Sequence, residues 1–186
     1  MRRLTTALVV ACALATSMFV YAAPADASVA QGFIAGAGTV TDDFGDEGTL
    51  STTSHANSGA TGLWQWILWA DGAKYGTHTY TTADVDFGFG PNTQSATKYW
   101  QSKHGLSQTG SVALSTWDKA QVNLKLVETD SEDTIVQYHG TAHNIDFERL
   151  TERSGEYLVY TSDCYNDAWN MSTDYNTIDW DDAACD

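Results

Sequence analysis

Between residues 62 and 121 the apolar positions recur every three or four residues, which is the spacing of one face of an α-helix. In the first of these segments, Trp64, Ile67 and Leu68 share a face. Gly72 then follows, where a glycine commonly ends a helix. The pattern therefore predicts a first helix near the start of this region, with an apolar stripe turned toward a core.

Two further helices are predicted in the same region. Pro91 lies where a proline suits the first helical turn, and Gly105 ends the segment that it opens. A third, shorter segment runs over residues 114–121 with Trp117 as its one large apolar group. Long connections separate the three helices.

After Gln121 the apolar period changes from about four to two, which is typical of β-strands with one buried face. Val122, Leu124 and Leu126 alternate with polar residues in the first of these strands. Further strands are predicted at residues 134–138, 141–152 with a turn, and 156–161. About 65 residues bury little core alone, so we expect a small antiparallel sheet packed on the helices.

The N-terminus has the pattern of a secretory signal peptide. Arg2 and Arg3 precede an apolar run over residues 4–21, and Ala-Asp-Ala at 25–27 provides a cleavage site. Polar residues interrupt the run, and no second apolar stretch reaches the ~20 residues that span a bilayer. We therefore predict a signal peptide over residues 1–27 and a secreted chain. Residues 28–61 are rich in Gly, Ser and Thr and are typical of an N-terminal arm.

The chain is strongly acidic, with a formal net charge of −15. Cleavage after residue 27 would remove two bases and one acid, which takes the net charge to −16. Nucleic acid is a poor partner for such a chain, because phosphate binding needs clustered lysine and arginine. A polyanionic polymer would be repelled because the chain is itself acidic. No membrane contact is expected after signal cleavage.

Of the three cysteines, Cys12 lies in the predicted signal. Cys164 and Cys185 are left in an exported chain, where oxidation is expected, so we predict one disulfide between them. It would tie down a tail within the β-rich segment at residues 122–186. A bridge of this span contributes on the order of 3 kcal/mol in the loop-closure account.

An aromatic residue precedes a glutamine in both long helical segments, at Trp64-Gln65 and Trp100-Gln101. The chain then offers VDFGFGPNTQSATKYWQSKHGL from Val85, and QTGSVALSTW ending at Trp117. This order of motifs resembles the bacterial peptidoglycan-binding repeat (peptidoglycan-binding domain 1-like) over about 55 residues.

The resemblance implies a fold class and a function. The fold would be α+β, with a compact three-helix bundle over residues 62–121 followed by the small antiparallel segment. The function would be a secreted, non-catalytic, monomeric binder of peptidoglycan, through its glycan or its stem peptide, with no cofactor. Two glycines of the family pattern are replaced here, by Phe87 and Ala113. If the first glycine needs positive φ, we expect the loop at Phe87 to be rearranged or its glycine moved by one position, to Gly88.

Six residues are candidates for ligand binding. A glutamine after a core aromatic can brace a loop or turn outward to a ligand amide, and both roles stay open. Indoles off the buried face of the first helix suit the C–H faces of sugars, unless the sheet or the arm covers them. The candidates are Gln65, Trp66, Trp69, Asp86, Tyr99 and Gln101.

Enzyme chemistry has weaker support in the sequence. His139, His143 and Asp146 have spacings seen in zinc peptidases of the cell wall, but no histidine follows them as a further ligand. The aspartates of the tail lack the ordered spacing of a calcium loop. We predict no metal and no catalytic residue. Two alternatives stay open: a wall hydrolase with a cryptic C-terminal catalytic part, and an extracellular protein-interaction or inhibitor module.

Overall fold

The computed structural model describes residues 34–44, 48–129, 133–151, 155–160 and 168–170. The predicted signal peptide and the predicted disulfide between Cys164 and Cys185 lie outside the described residues. Both stay predictions.

Three α-helices precede the larger sheet in the described chain. They are α1 (Gly59–Ala70), α2 (Pro91–Lys103) and α3 (Leu114–Gln121). The side chain of Ser58 accepts the backbone N–H of Thr61 at 3.1 Å, which satisfies one of the unpaired donors in the first turn of α1. Single 3₁₀ turns lie at Val40–Asp42 and Thr82–Asp84.

Two antiparallel sheets accompany the helices. A two-stranded hairpin interrupts the connection between α1 and α2, and a five-stranded meander follows α3 with its strands in chain order. The hairpin strands are β1 (Lys74–Tyr75) and β2 (His78–Thr79). The strands of the larger sheet are β3 (Leu124–Thr129), β4 (Asp133–His139), β5 (Asn144–Leu150), β6 (Glu156–Tyr160) and β7 (Ala168–Asn170).

The predicted architecture, a three-helix bundle followed by a small β segment, is wrong. The structure is a mixed α+β fold in which the helices and the large sheet share one buried cluster. With eight residues, α3 is about 12 Å long and can cover only part of α1. The strands β4 and β5 contact α1 as well. The helices therefore do not close around a core of their own.

Aromatic side chains form the centre of this core. The ring of Trp64 meets those of Trp100 and Trp117 edge to face, with centroids 5.1 and 5.6 Å apart. Phe44 from the arm meets Trp117 at 5.7 Å and Tyr157 of β6 at 5.5 Å. All five side chains are fully buried or nearly so. Edge-to-face contacts of this kind add about 0.5–1.5 kcal/mol each beyond the burial of apolar area.

The β4–β5 turn caps the C-terminal end of α1. The carbonyl of Ala70 accepts the backbone N–H groups of Ala142 and His143 at 2.8 and 2.9 Å. Gly140 lies so close that a Cβ there would be 2.3 Å from the same carbonyl oxygen. The last carbonyl of α1 is thus satisfied by the turn between two strands of the sheet.

The N-terminal arm is fixed to the sheet by a buried carboxylate. The Asp43 side chain is inaccessible to solvent, lies 2.9 Å from Nη1 of Arg149, and accepts a hydrogen bond from the hydroxyl of Tyr157. Burial raises the pKa of Asp43, although the bonds from Tyr157 and Arg149 act in the opposite direction. The backbone N–H of Gly36 also donates to the carbonyl of Gly155 at 2.9 Å. Segment 34–44 is therefore an integral part of the fold.

Candidate functional site

Gln65 is fully buried and braces the loop that leads into α2. Its Oε1 accepts the backbone N–H groups of Asp86 and Phe87 at 3.1 and 2.8 Å. Its Nε2 donates to Oδ1 of Asp86 at 2.7 Å, to the carbonyl of Gly88 at 3.0 Å and to Oγ1 of Thr93 at 3.2 Å. Because these bonds use both ends of the amide, Gln65 shapes the loop from inside.

Gln101 repeats this arrangement for the loop that leads into α3. Its Oε1 accepts the backbone N–H of Gly110 at 2.9 Å. Its Nε2 donates to the carbonyl of Ser111 at 2.8 Å and to the hydroxyls of Thr109 and Thr116, each at 3.1 Å. A buried glutamine that hydrogen-bonds the loop before the next helix thus occurs twice. Of the two roles left open by the sequence, loop bracing is the one whose contacts are present at both glutamines.

Phe87 occupies the left-handed region of the backbone, with φ of 62°. Gly110 has φ of 73° at the equivalent place in the second loop. The expected shift of the left-handed position to Gly88 is wrong, because Phe87 itself has positive φ and Gly88 does not. The left-handed conformation costs a non-glycine residue about 1–2 kcal/mol. The ring of Phe87 is buried over Gly62, where a Cβ would lie 2.4 Å from it.

This contact predicts a change of sign in a double-mutant cycle. In the wild type, Gly62→Ala should lower the free energy of unfolding by about 1–3 kcal/mol, because the new methyl group collides with the Phe87 ring. In a Phe87→Gly background the ring is gone, so the same change should stabilise α1 by up to about 1 kcal/mol through helix propensity. Urea denaturation of the four proteins measures both effects. An effect of the same sign in both backgrounds would contradict the packing argument.

The indoles of Trp66 and Trp69 are half-buried and meet edge to face at 5.5 Å. The imidazole of His143 lies parallel to the ring of Trp69, with centroids 4.3 Å apart. Nε1 of Trp66 is buried and has no hydrogen-bond partner in the part of the chain that the structure describes. One face of Trp69 is thus occupied by the β4–β5 turn, which reduces the surface that it could offer to a sugar ring.

A cleft of about 230 Å³ opens where the C-terminal ends of α1 and α2 meet the β4–β5 turn. Of the predicted ligand-binding residues, Tyr99 lines it. We refer to it as the Asp71 cleft, and its lining residues are Asp71, Ala73, Tyr99, Trp100, Lys103, His104 and Thr141.

Asp71 holds the floor of this cleft together. Its Oδ2 accepts the indole N–H of Trp100 at 2.6 Å and the hydroxyl of Tyr138 at 2.7 Å. Its Oδ1 accepts the backbone N–H of Thr141 at 2.8 Å. Burial, together with the negative charge of Asp71, raises the pKa of Tyr138 well above its usual value, so the phenol stays protonated and keeps donating. One carboxylate therefore connects α1, α2 and the sheet.

His104 and Lys103 form the side of the cleft contributed by α2. The imidazole of His104 stacks on Trp100 with centroids 3.8 Å apart, and its Nδ1 lies 2.8 Å from the carbonyl oxygen of Trp100. A carbonyl can only accept, so Nδ1 carries the proton and Nε2 is the nitrogen left for other contacts. The ammonium of Lys103 lies 5.3 Å from the ring centroid of Tyr99.

A second polar cluster lies at the β1–β2 hairpin and contains none of the predicted site residues. Asp84 accepts hydrogen bonds from the hydroxyl of Tyr75 at 2.7 Å and from the backbone N–H of Thr81 at 2.7 Å, and lies 2.9 Å from Nε2 of His78. Partial burial would raise the pKa of Asp84, but the bonds from these partners lower it strongly overall. The cluster closes the hairpin onto the 3₁₀ turn at Thr82–Asp84.

The residues with zinc-peptidase spacing do not assemble. His143 is stacked on Trp69, and Asp146 accepts the side-chain N–H of Gln137 at 2.7 Å. No group of three or more histidine, cysteine, aspartate or glutamate side chains suited to a metal occurs within the described residues. In the same part of the chain, no helix has the length and apolar character needed to cross a membrane.

Comparisons with protein-family models, curated proteins and solved structures find no match to this chain. The resemblance to the peptidoglycan-binding repeat therefore rests on the motifs alone.

Proposed function

We propose that this protein is a secreted, non-catalytic binder of the bacterial cell wall, and that it holds a fragment of peptidoglycan in the Asp71 cleft. The order of motifs around Gln65 and Gln101 supports the class of ligand. Two surfaces carry predicted aromatic residues: the cleft at Tyr99, and the indoles of Trp66 and Trp69. We place the ligand in the cleft, because the indoles are half-buried.

The observation that carries the proposal is the composition of the cleft. Tyr99 contributes an aromatic ring to the lining, to which the nearly inaccessible Trp100 also contributes, and the polar residues Asp71, Lys103 and His104 line the same space. A concave site that combines an apolar wall with a few fixed polar groups is typical of ligand binding. Three hydrogen bonds hold the Asp71 carboxylate in place, which suits a rigid recognition site.

Retention on purified insoluble peptidoglycan tests the proposal. We expect the wild-type protein to be retained and Tyr99→Ala to be retained about tenfold less, because the variant loses much of the apolar wall. Trp69→Ala serves as the comparison on the other aromatic surface, and Lys119→Ala on α3 as a control outside both. Far-UV circular dichroism checks that each variant is folded, and released muropeptides are assayed in the same tubes.

Each outcome has a definite meaning. Loss of retention in Trp69→Ala but not in Tyr99→Ala would move the site to the indoles and overturn its placement in the cleft. Release of muropeptides by the wild type would favour the wall hydrolase. Failure of the folded wild type to be retained would favour the protein-interaction module over a wall binder.

A further inference from the structure

The Asp71 cleft is built where two helices end. Asp71 is the C-terminal cap of α1, and His104 is the C-terminal cap of α2. Helix C-termini carry a partial negative charge, which favours a cation and disfavours an anion nearby. The carboxylate of Asp71 adds a full negative charge at the same place, in a chain whose formal net charge is −15. The two helix ends and Asp71 therefore favour a positively charged ligand, whereas the ammonium of Lys103 in the same lining opposes it.

Two side chains in the cleft have hydrogen-bond acceptor positions that the contacts within the described chain do not use. A carboxylate offers about four lone-pair positions, and the side chain of Asp71 uses three of them within the described chain, for Trp100, Tyr138 and Thr141. The remaining position is on Oδ1, which accepts the single bond from Thr141 there. Nε2 of His104 is a second acceptor when the ring is neutral, because Nδ1 carries the proton. A donor with several N–H groups would satisfy both acceptors.

The aromatic wall already faces an ammonium group. Nζ of Lys103 lies 5.3 Å from the ring centroid of Tyr99, within the range of a cation–π contact. Lys103 is exposed, so its long side chain is free to turn to solvent when a ligand enters. At about 230 Å³ the cleft is smaller than the ~300–1,000 Å³ typical of pockets for drug-sized ligands. It fits the end of one side chain better than a row of sugar rings.

We propose that the Asp71 cleft binds a primary alkylammonium group at the end of a peptide side chain. This inference rests on the proposed function. In the cell wall, the ammonium group would be the free side-chain amine of a stem peptide that has not been cross-linked. Asp71 and His104 accept from the ammonium, Tyr99 provides a cation–π face, and Lys103 competes for the same place.

A matched pair of soluble probes tests the charge requirement. Nα-acetyl-lysine amide has one ammonium group and no other charge, and its Nε-acetyl derivative has the same chain without the charge. Titration is followed by the indole N–H resonance of Trp100, since that group donates to Asp71. We expect the charged probe to bind at least about tenfold more tightly than the acetylated one. Equal affinity for the two probes would overturn the proposal.

Variants at the rim test the sign of the interaction. Lys103→Gln should tighten binding of the charged probe about threefold, because it removes a competing like charge. Lys119→Gln, an exposed lysine on α3, is the matched control and should leave the affinity unchanged. Tyr99→Leu should weaken binding about threefold, whereas Tyr99→Phe should restore it, because phenylalanine keeps the aromatic face. Weaker binding of the charged probe to Lys103→Gln would show that Lys103 does not compete for the site, and would contradict the proposal.

Chemical acetylation of insoluble peptidoglycan separates this inference from the proposed function. The amine site and the wall-binding function are both supported if the protein is retained on native peptidoglycan and is not retained on acetylated peptidoglycan. Equal retention on both materials, with no binding of the lysine probe, would leave the wall-binding function standing and overturn the amine site. Binding of the lysine probe without retention on either material would support the amine site and overturn the wall-binding function.

Discussion

Replacing Asp71 with alanine should lower the free energy of unfolding by about 3–5 kcal/mol, because three donors lose their acceptor at once. The indole N–H of Trp100 and the hydroxyl of Tyr138 belong to nearly inaccessible side chains, so the loss of their acceptor is costly. The third donor, the N–H of Thr141, lies at an exposed position and can turn to solvent. Equilibrium urea denaturation followed by far-UV circular dichroism measures the loss.

A second variant separates this network from a general effect of removing charge. Tyr138→Phe deletes one donor and should cost only about 1 kcal/mol in the wild type. In an Asp71→Ala background the same change removes a phenol that has lost its acceptor, and should be neutral or stabilising. If Asp71→Ala costs less than about 1 kcal/mol, the carboxylate does not hold the three elements together.

Replacing Gln65 with leucine should cost about 3–4 kcal/mol, because the side chain keeps its approximate volume and loses its polar contacts with five atoms of one loop. Phe87 would then hold its left-handed conformation without the bond to its backbone N–H. Gln101→Leu should cost less, because the corresponding left-handed residue is Gly110, which adopts positive φ without strain. Thermal and urea unfolding of both variants give the comparison.

The isosteric change Gln65→Glu tests whether the amide donor matters. At neutral pH it would place a carboxylate 2.7 Å from Oδ1 of Asp86, in a buried position where the wild type has an N–H donor. We expect a loss of at least about 3 kcal/mol at pH 7. Part of the lost stability should be recovered at acidic pH, where the introduced carboxyl group is protonated and can donate again.

For the two leucine variants, a larger loss of stability in Gln101→Leu than in Gln65→Leu would be evidence against the role given to strain at Phe87.

The helices can be predicted from the sequence because each has a marked end. Pro91 opens α2 and the predicted range of α3 agrees with the observed one, whereas α1 begins three residues before the predicted region, at Gly59.

The strands are harder to predict. The β1–β2 hairpin escapes prediction because strands of two residues have no period to detect. In β3 the alternation is misleading: Leu126 is 58% exposed, and the pairing with β4 is irregular next to it. Alternation assumes a regular strand with one buried face.

The site can be predicted only where the signal is local. Gln65 and Gln101 stand out because each follows a core tryptophan, and Tyr99 lies on the accessible side of α2. The rest of the cleft depends on contacts between residues far apart in the chain, such as Thr141 and Asp71, which are 70 positions apart. No periodicity within either segment indicates that the β4–β5 turn caps α1. That contact comes from the topology of the sheet.

The attachment of the N-terminal arm has a consequence for the folding pathway. Asp43 meets Arg149 and Tyr157 across separations of 106 and 114 residues, which gives the fold a component of high contact order. Closing so long a loop costs chain entropy before its contacts form. We expect the arm to dock after the transition state, so substitutions at Asp43 would accelerate unfolding far more than they slow refolding. The arm would then set the kinetic lifetime of the native state.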